Sequence, residues 1–145
     1  MNCKTLSIIA TALSVLALAT LILRHGLFSP SPVVIILQVF AALLMLWARM
    51  TLGTRSFHFS ANPTKGGLVT SGPYRYVRHP IYAAVVIFIV AGVVANLSIL
   101  NGILGLVVVS GMIIRALCEE RFLRAEYSEY AEYSSHTWRM IPFVF

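Results

Sequence analysis

The sequence of 145 residues contains no aspartate, so its five acidic residues are all glutamates. Charged residues make up only 11% of the chain, whereas soluble domains carry about 25%. Hydrophobic residues reach 59% and the mean hydropathy is +0.85, which places most of the chain in lipid. Four membrane spans would leave too few residues for a separate soluble enzyme domain of about 150 residues. Any chemistry must therefore be built from helix ends and short loops.

Cysteine is equally scarce, with only Cys3 and Cys118 in the chain. Two cysteines so far apart in an apolar sequence form neither a disulfide framework nor a metal motif. We interpret both as small apolar packing residues and expect no metal site.

The basic residues give a net charge of +6, but they flank the apolar runs. Binding to nucleic acid requires a soluble basic face, so we expect no nucleic-acid partner. The positive charge is instead interpreted as a signal of membrane topology.

The apolar runs predict an all-α fold, a polytopic membrane helix bundle in one domain over residues 1–145, and the helical spacing of Glu, Arg and Tyr from Glu119 onwards predicts a tail helix. Its four transmembrane helices are expected at about residues 5–23, 33–50, 81–96 and 100–118. The first run also resembles a signal peptide, but it stays apolar past the small residues Ala17 and Ala19, which favours a retained span. The run 81–118 would be about 57 Å long as one helix. The polar residues between 96 and 102 are therefore its natural break.

Four spans place both termini and the loop 51–79 on the same side of the membrane. That side collects ten of the eleven basic residues, and Arg24 is alone on the other. The ten are Lys4, Arg49, Arg55, Lys65, Arg75, Arg78, Arg115, Arg121, Arg124 and Arg139. Because cytoplasmic segments are enriched in Lys and Arg, we expect the loop and the tail 119–145 to be cytoplasmic.

The loop 51–79 is long, polar and rich in turn residues, and long loops in small proteins are usually functional or disordered. Its end, His79–Pro80, predicts the start of the third helix, since proline suits the first helical turn. A helix N-terminus is a good seat for a carboxylate or phosphate. Gly72–Pro73 predicts a turn that lets the backbone approach a ligand. The alternative is that Arg78 and His79 only anchor the chain at the interface.

Glu119 and Glu120 are expected where the fourth span ends. One interpretation pairs them with Arg115 and Arg124, each four residues from one of them on a helix. The other is a binding site for a cationic or hydroxyl-rich ligand. In the tail, the aromatic residues are interpreted as an interface belt rather than a binding cage; these are Tyr127, Tyr130, Tyr133 and Trp138.

The stretch 68–82, LVTSGPYRYVRHPIY, resembles the signature of the isoprenylcysteine carboxyl methyltransferase family, whose general plan the phospholipid methyltransferases share. Upstream, residues 48–53 and Phe57 fit the family pattern. Downstream, the matching residues are Arg115, Glu119, Glu120, Leu123, Tyr130, Tyr133, Arg139 and Pro142. The resemblance extends over residues 48–142.

The resemblance implies an integral-membrane enzyme that uses S-adenosylmethionine, held at the cytoplasmic face by the loop, the helix entry and the glutamate pair. The implied cofactor-binding residues are Gly72, Tyr74, Val77, Arg78, His79, Tyr82, Glu119 and Glu120. From the eukaryotic-type members, the resemblance also implies that an arginine just after the glutamate pair acts at the substrate, and Arg121 and Arg124 are both candidates. We choose Arg124, because it shares a helix face with Glu120. The chain departs from the family pattern at Ser128–Glu129, where a glycine is usual.

The expected reaction is methyl transfer to a lipophilic small molecule or lipidated substrate, and membrane lipids are expected partners. A prenylcysteine-like carboxylate is the first choice of acceptor, and a lipid amine or small thiol is the alternative. A carboxylate needs no general base, whereas an amine or thiol would give Glu119 or His79 that role. A hypothesis of another class is a non-enzymatic membrane scaffold or channel subunit, which would bind no cofactor. The oligomeric state stays open.

Overall fold

A computed structural model of the protein describes residues 2–53 and 67–142. Helices take up 76% of these residues and no strand occurs among them, which confirms the all-α fold. The elements are α1 (Cys3–Leu23), α2 (Pro32–Leu52), a short 3₁₀ helix (Gly72–Arg75), α3 (Pro80–Ala95), α4 (Ile99–Glu126) and α5 (Tyr130–Ser135).

Three of these helices, α1, α2 and α4, are long and apolar enough to cross a membrane. Their outer faces carry many exposed apolar side chains, among them Leu16, Leu43 and Leu106, each at least 60% exposed. Apolar surfaces of this extent are rare on soluble proteins and are typical of contact with lipid. Helix α3 is also apolar but has 16 residues, or about 24 Å, against a hydrocarbon core of about 30 Å. A fourth crossing therefore stays a prediction.

Helix α1 packs along α4 through small residues. Its buried positions are spaced three and four residues apart, at Ser7, Ala10, Ser14, Ala17 and Leu21. On α4, a Cβ atom added to Gly111 would lie 2.0 Å from Ser14 Oγ, so the two backbones approach too closely for any side chain there. Close approach through small residues is how helices associate in lipid, where the hydrophobic effect gives no drive.

Polar side chains form hydrogen bonds at the end of the bundle where α3 is connected to α4. The break between these helices falls at residues 96–98, and Ser98 Oγ accepts from the amide of Asn101 at 3.1 Å. Asn101 Nδ2 donates to the carbonyl of Asn96 at 2.7 Å, and Gln38 Nε2 donates to that of Leu27 at 2.7 Å. These bonds satisfy loop backbone groups that would otherwise be costly next to lipid.

Two boundaries differ from the sequence-based expectation. Helix α4 continues to Glu126, so Glu119 and Glu120 lie within a helix and not at its end. The predicted tail helix is thus partly an extension of α4, followed by the separate α5. Of the predicted loop 51–79, residues 51 and 52 belong to α2, and residues 54–66, which include Arg55, Phe57 and Lys65, lie outside the described residues.

Candidate functional site

The entry to α3 is held by the C-terminal tail. The amide of Arg78 donates to the carbonyl of Trp138 at 2.8 Å, and that of His79 donates to Arg139 at 2.9 Å. In return, the amide of Trp138 donates to the carbonyl of Tyr76 at 3.0 Å, which forms a short parallel pairing. Pro80 is the first residue of α3, where its missing N–H costs no helical hydrogen bond, and the first such bond runs from the amide of Ala83 to the carbonyl of His79. The tail therefore sets where the Arg78–His79 side chains lie.

Glu120 is the anchor of this arrangement. Its carboxylate is buried and accepts from Arg78 Nε at 3.0 Å and from Arg139 Nε and Nη2 at 2.9 and 3.1 Å. His79 Nε2 lies 3.4 Å from the same carboxylate. Two guanidinium groups thus surround one carboxylate, which balances its burial. Arg78 also donates through Nη1 to the carbonyls of Ser134, at 2.8 Å, and Thr137. Glu120 consequently ties α4, the α3 entry and the tail together.

Glu119, its neighbour in sequence, has a different environment. Its side chain is 36% exposed, and its Oε2 accepts from the hydroxyl of Tyr82 at 3.0 Å. His79 Nδ1 lies 3.6 Å away, and the His79 ring stacks on that of Tyr82 at a centroid distance of 5.4 Å. No arginine within the described residues forms an ion pair with Glu119. This carboxylate therefore keeps acceptor capacity for a ligand.

The interpretation that Glu119 and Glu120 pair with Arg115 and Arg124 on the same helix is wrong. Neither Arg115 nor Arg124 comes within 4.0 Å of a glutamate carboxylate in the part of the chain that the structure describes. The partners of Glu120 are instead Arg78 and Arg139, which are distant in sequence.

The 3₁₀ helix before the entry contains Gly72 and Tyr74. Gly72 has φ +57°, and a Cβ atom there would lie 2.4 Å from Thr51 Oγ1 at the end of α2. Tyr74 is buried, and its carbonyl accepts from the hydroxyl of Tyr133 at 2.6 Å. Burial, and next the negative charge of Glu119, raise the pKa of Tyr74 well above its usual range. Tyr74 therefore stays neutral and lies within electrostatic reach of Glu119. Val77 takes part through its backbone, as the residue bridged to Trp138.

Two of the tail tyrosines, Tyr130 and Tyr133, pack against the protein and against each other, contrary to the expected interface belt. Tyr130 is completely buried, and its hydroxyl has no hydrogen-bond partner among the described residues. Tyr133 supports the 3₁₀ helix, and burial raises its pKa to about 12. Trp138 keeps 43% exposure. The belt interpretation is thus wrong for Tyr130 and Tyr133.

Arg124, the arginine chosen for the substrate, is exposed, and its guanidinium carbon lies 5.5 Å from the ring centroid of Tyr130. Arg121, the other candidate, donates to Cys3 Sγ at 3.3 Å on α1. Neither contacts Glu119 in the structure. The substrate role of Arg124 stays a prediction.

Two contacts were not expected from the sequence. Arg139 was noted only as part of a family pattern, yet it binds Glu120. Thr11 lies in a plain apolar helix and accepts a hydrogen bond from Arg115 on α4. Only the family resemblance at Arg139 and Pro142 could have indicated the first contact, and nothing in the α1 sequence indicated the second.

An apolar cluster forms the wall beneath the glutamates. Ala83, Ala116 and Met140 are buried there, and Met112 and Ile113 pack against them. Ala83 follows His79 by one turn of α3, and Ala116 precedes Glu120 by one turn of α4. The polar groups are thus bordered by a surface that excludes water on the membrane side.

A family model for phospholipid methyltransferases matches residues 31–130. The match runs from the start of α2 to the start of α5 and includes the α3 entry and both glutamates. No curated protein and no solved structure matches the chain. This family is related to the isoprenylcysteine carboxyl methyltransferases, so the resemblance is confirmed. With its long apolar helices, the chain is an integral-membrane protein that belongs to the phospholipid methyltransferase family.

Proposed function

We propose that the protein transfers a methyl group from S-adenosylmethionine to a lipophilic acceptor at the cytoplasmic membrane surface. The observation that carries this proposal is the contrast between two adjacent carboxylates. Glu120 is saturated by Arg78 and Arg139, whereas Glu119 accepts one hydrogen bond and is 36% exposed. A structural role requires only Glu120, so Glu119 is available to bind a ligand.

The residues around Glu119 suit the amino-acid end of the cofactor. The first turn of α3 has no side-chain cap, and the amides of Ile81 and Tyr82 precede its first helical hydrogen bond. Such amides attract a carboxylate, and Glu119 attracts a cation or a ribose diol. The free amides of α3 and the Glu119 carboxylate lie close together, since Tyr82 on the first turn of α3 donates a hydrogen bond to Glu119. The implied binding set is Gly72, Tyr74, Val77, Arg78, His79, Tyr82, Glu119 and Glu120.

Within that set, the geometry supports two kinds of role. Arg78, Glu120 and the backbone of Val77 position the entry to α3. Glu119 is the partly exposed polar group; Tyr82 donates to its Oε2, and buried His79 places Nδ1 3.6 Å from it. Gly72 and Tyr74 form the turn between α2 and the entry, where a side chain at position 72 would collide with Thr51.

When bound, S-adenosylmethionine supplies a methyl group on a sulfonium, which an acceptor in line with the S–CH₃ bond can attack. An acceptor carboxylate needs no base, and the apolar wall of Ala83, Ala116 and Met112 helps by excluding water. We place a prenylcysteine-like carboxylate first among acceptors. Arg124 is proposed to contact the acceptor from the aqueous side, one turn beyond Glu120.

A lipid amine is the second candidate, and the match to phospholipid methyltransferases favours it. An amine must lose a proton before it attacks, so this reaction requires a base within hydrogen-bonding reach. Glu119 and His79 are the groups available, with 3.6 Å between Oε2 and Nδ1.

We also propose four membrane crossings, with both termini and the loop 51–79 in the cytoplasm.

The test uses the purified full chain in lipid nanodiscs with methyl-labelled S-adenosylmethionine. Cofactor binding is measured by equilibrium dialysis. Methyl transfer is measured with N-acetyl-S-farnesylcysteine in one arm and with phosphatidylethanolamine in the other. Mild alkali releases the label from a methyl ester as methanol and leaves a methylated amine intact, so product chemistry separates the two candidates.

Two matched variants make the result specific. Glu119→Gln should weaken cofactor binding about tenfold or more, because a charge-assisted contact is lost. Arg24→Gln, at the opposite end of the bundle, should leave binding and transfer unchanged. If the wild-type protein binds no labelled cofactor, the proposal is wrong and the alternative of a non-enzymatic membrane scaffold is favoured.

A further inference from the structure

Both cysteines of the chain lie together where α1 meets α4. Cys3 is the first residue of α1, and Cys118 is buried on α4. A side-chain hydrogen bond connects the two thiols. Their separation in sequence gave no reason to expect a bridge between them. The packing of α1 along α4 removes that separation.

The small residues between α1 and α4 explain why the two thiols meet. Cys3 precedes Ser7 by four residues, so it continues the face of α1 on which Ser7 and Ser14 are buried. On α4, Gly111 lies against Ser14. Cys118 follows Gly111 by seven residues, or about two turns, and therefore belongs to the same face of α4. The close contact of these two faces brings the thiols together.

Arg121 completes this group. Its Nη1 donates to Cys3 Sγ at 3.3 Å, and it follows Cys118 by three residues, on the same side of α4. A guanidinium beside a thiol favours the thiolate, which is the form that attacks a disulfide. Cys3 is partly exposed, whereas Cys118 is buried. Cys3 is thus suited to react first with a molecule from solution, and Cys118 to react second.

We propose that Cys3 and Cys118 are a site of reversible oxidation, at which a low-molecular-weight disulfide of the glutathione type forms an internal disulfide between α1 and α4. The Cys3 thiolate attacks one sulfur of the oxidant, whose S–S bond breaks and releases one glutathione thiolate. Cys118 then loses its proton and attacks the Cys3 sulfur of the mixed disulfide, which releases the second glutathione thiolate. The two cysteine protons go to these thiolates, and two electrons pass from the protein to the oxidant.

The internal disulfide would tether α1 beside the candidate site, since Cys118 directly precedes Glu119. It would close a loop of more than a hundred residues, and long loops are those in which a cross-link restricts the unfolded chain most. Disulfides of cytoplasmic proteins are usually transient and redox-sensing, which agrees with a reversible bond. The inference goes beyond the proposed function and holds whether or not the protein binds S-adenosylmethionine.

The test counts free thiols in the full chain. Reduced protein in a neutral detergent is incubated with mixtures of glutathione and glutathione disulfide in varied ratio. Each sample is quenched with acid, unfolded in SDS and treated with N-ethylmaleimide before intact-mass measurement. Oxidised monomer should lack two hydrogens and carry no maleimide, whereas reduced monomer should carry one maleimide on each cysteine. Because the chain has only two cysteines, an internal disulfide can join only these two.

Four variants identify the groups that react. Cys3→Ser and Cys118→Ala should each keep one free thiol or one bound glutathione and form no internal disulfide. Arg121→Gln should form the disulfide about threefold more slowly, because less of Cys3 is thiolate. Arg124→Gln, the matched control one turn further along α4, should react at the wild-type rate. Equal rates in Arg121→Gln and wild type would contradict the role given to Arg121.

The packing of α1 on α4 provides a second measurement. In SDS titrations, the unfolding midpoint of the oxidised wild type should lie at a higher SDS fraction than that of the reduced protein, and Cys3→Ser should show no such shift. An unchanged or lower midpoint would overturn the inference, because the bond would then form only after α1 leaves α4. Two free thiols in excess glutathione disulfide would also overturn it, as would a product that stops as a mixed disulfide or forms a covalent dimer.

Discussion

Arg78 and Glu120 are 42 residues apart in sequence, yet Arg78 Nε lies 3.0 Å from Glu120 Oε1 and both side chains are less than 10% exposed. This pair joins the entry of α3 to the C-terminal part of α4. Arg139 adds a second guanidinium from the tail, and interaction with Glu120 raises the pKa of Arg139 above its usual value. The entry of α3 and the tail are therefore held to α4 by one buried carboxylate.

Replacing that carboxylate should unfold the site. Glu120→Gln leaves two guanidinium groups without their counter-charge, and breaking a buried ion pair costs about 3–5 kcal/mol. We expect a loss of this size in the free energy of unfolding, measured by circular dichroism as SDS is titrated into mixed micelles. A loss below about 1 kcal/mol would show that Glu120 is not the anchor.

The same change one residue earlier should have the opposite profile. Glu119→Gln removes no ion pair with an arginine and leaves an amide that still accepts from Tyr82. Stability should stay within about 1 kcal/mol of wild type, while cofactor binding falls. Both variants are assayed side by side by SDS unfolding and equilibrium dialysis. Equal effects on stability would contradict the division of roles.

Gly72→Ala should weaken the junction between α2 and the 3₁₀ helix. The positive φ of +57° costs an L residue about 1–2 kcal/mol, and the new Cβ atom would meet Thr51 Oγ1 at 2.4 Å. Thr51→Ala in the same chain removes the contact with Oγ1 but not the backbone strain. Unfolding experiments should show a partial rescue by the second substitution, and full rescue would rule out the strain.

Gly111→Ala should separate α1 from α4. The added methyl group would lie 2.0 Å from Ser14 Oγ and 3.1 Å from the carbonyl of Ala10, so the helices must move apart. Gly102 provides a control on the same helix, because a Cβ atom there meets nothing within 4 Å. Gly102→Ala should be neutral or stabilising by up to about 1 kcal/mol, since alanine favours helix. Overpacking at position 111 typically costs about 1–3 kcal/mol in unfolding titrations.

Tyr133 makes the tail sensitive to high pH. Burial raises its pKa to about 12, above the value of about 10 in unfolded chains. The folded state thus favours the neutral hydroxyl, and its contribution is complete below pH 10 and is lost as the pH rises towards 12. Tyr133→Phe also loses the hydrogen bond to the carbonyl of Tyr74, worth about 1 kcal/mol. Its stability should fall less steeply than that of wild type between pH 10 and 12; parallel curves would refute the assignment.

Much of the fold could be predicted from local patterns. Runs of apolar residues predicted the helices, and the order His79–Pro80 predicted the start of α3, where the structure has it. The end of α4 could not be predicted in this way. The apolar run stops before Glu119, but the helix continues to Glu126. This part of the helix is supported by contacts with α1, α3 and the tail, as at Arg121 with Cys3 and Glu120 with Arg78.

The sequence by itself determined the membrane class, the family and the residues from which a site would be drawn. It could not determine what Glu119 and Glu120 each do, since two identical side chains in succession carry the same local information. Only the tertiary structure decided this. Consecutive residues on a helix point about 100° apart, so Glu120 faces Arg78 and Arg139 while Glu119 faces Tyr82 and solvent. The same geometry turns Arg115 inward, towards Thr11 on a helix more than a hundred residues away in the chain.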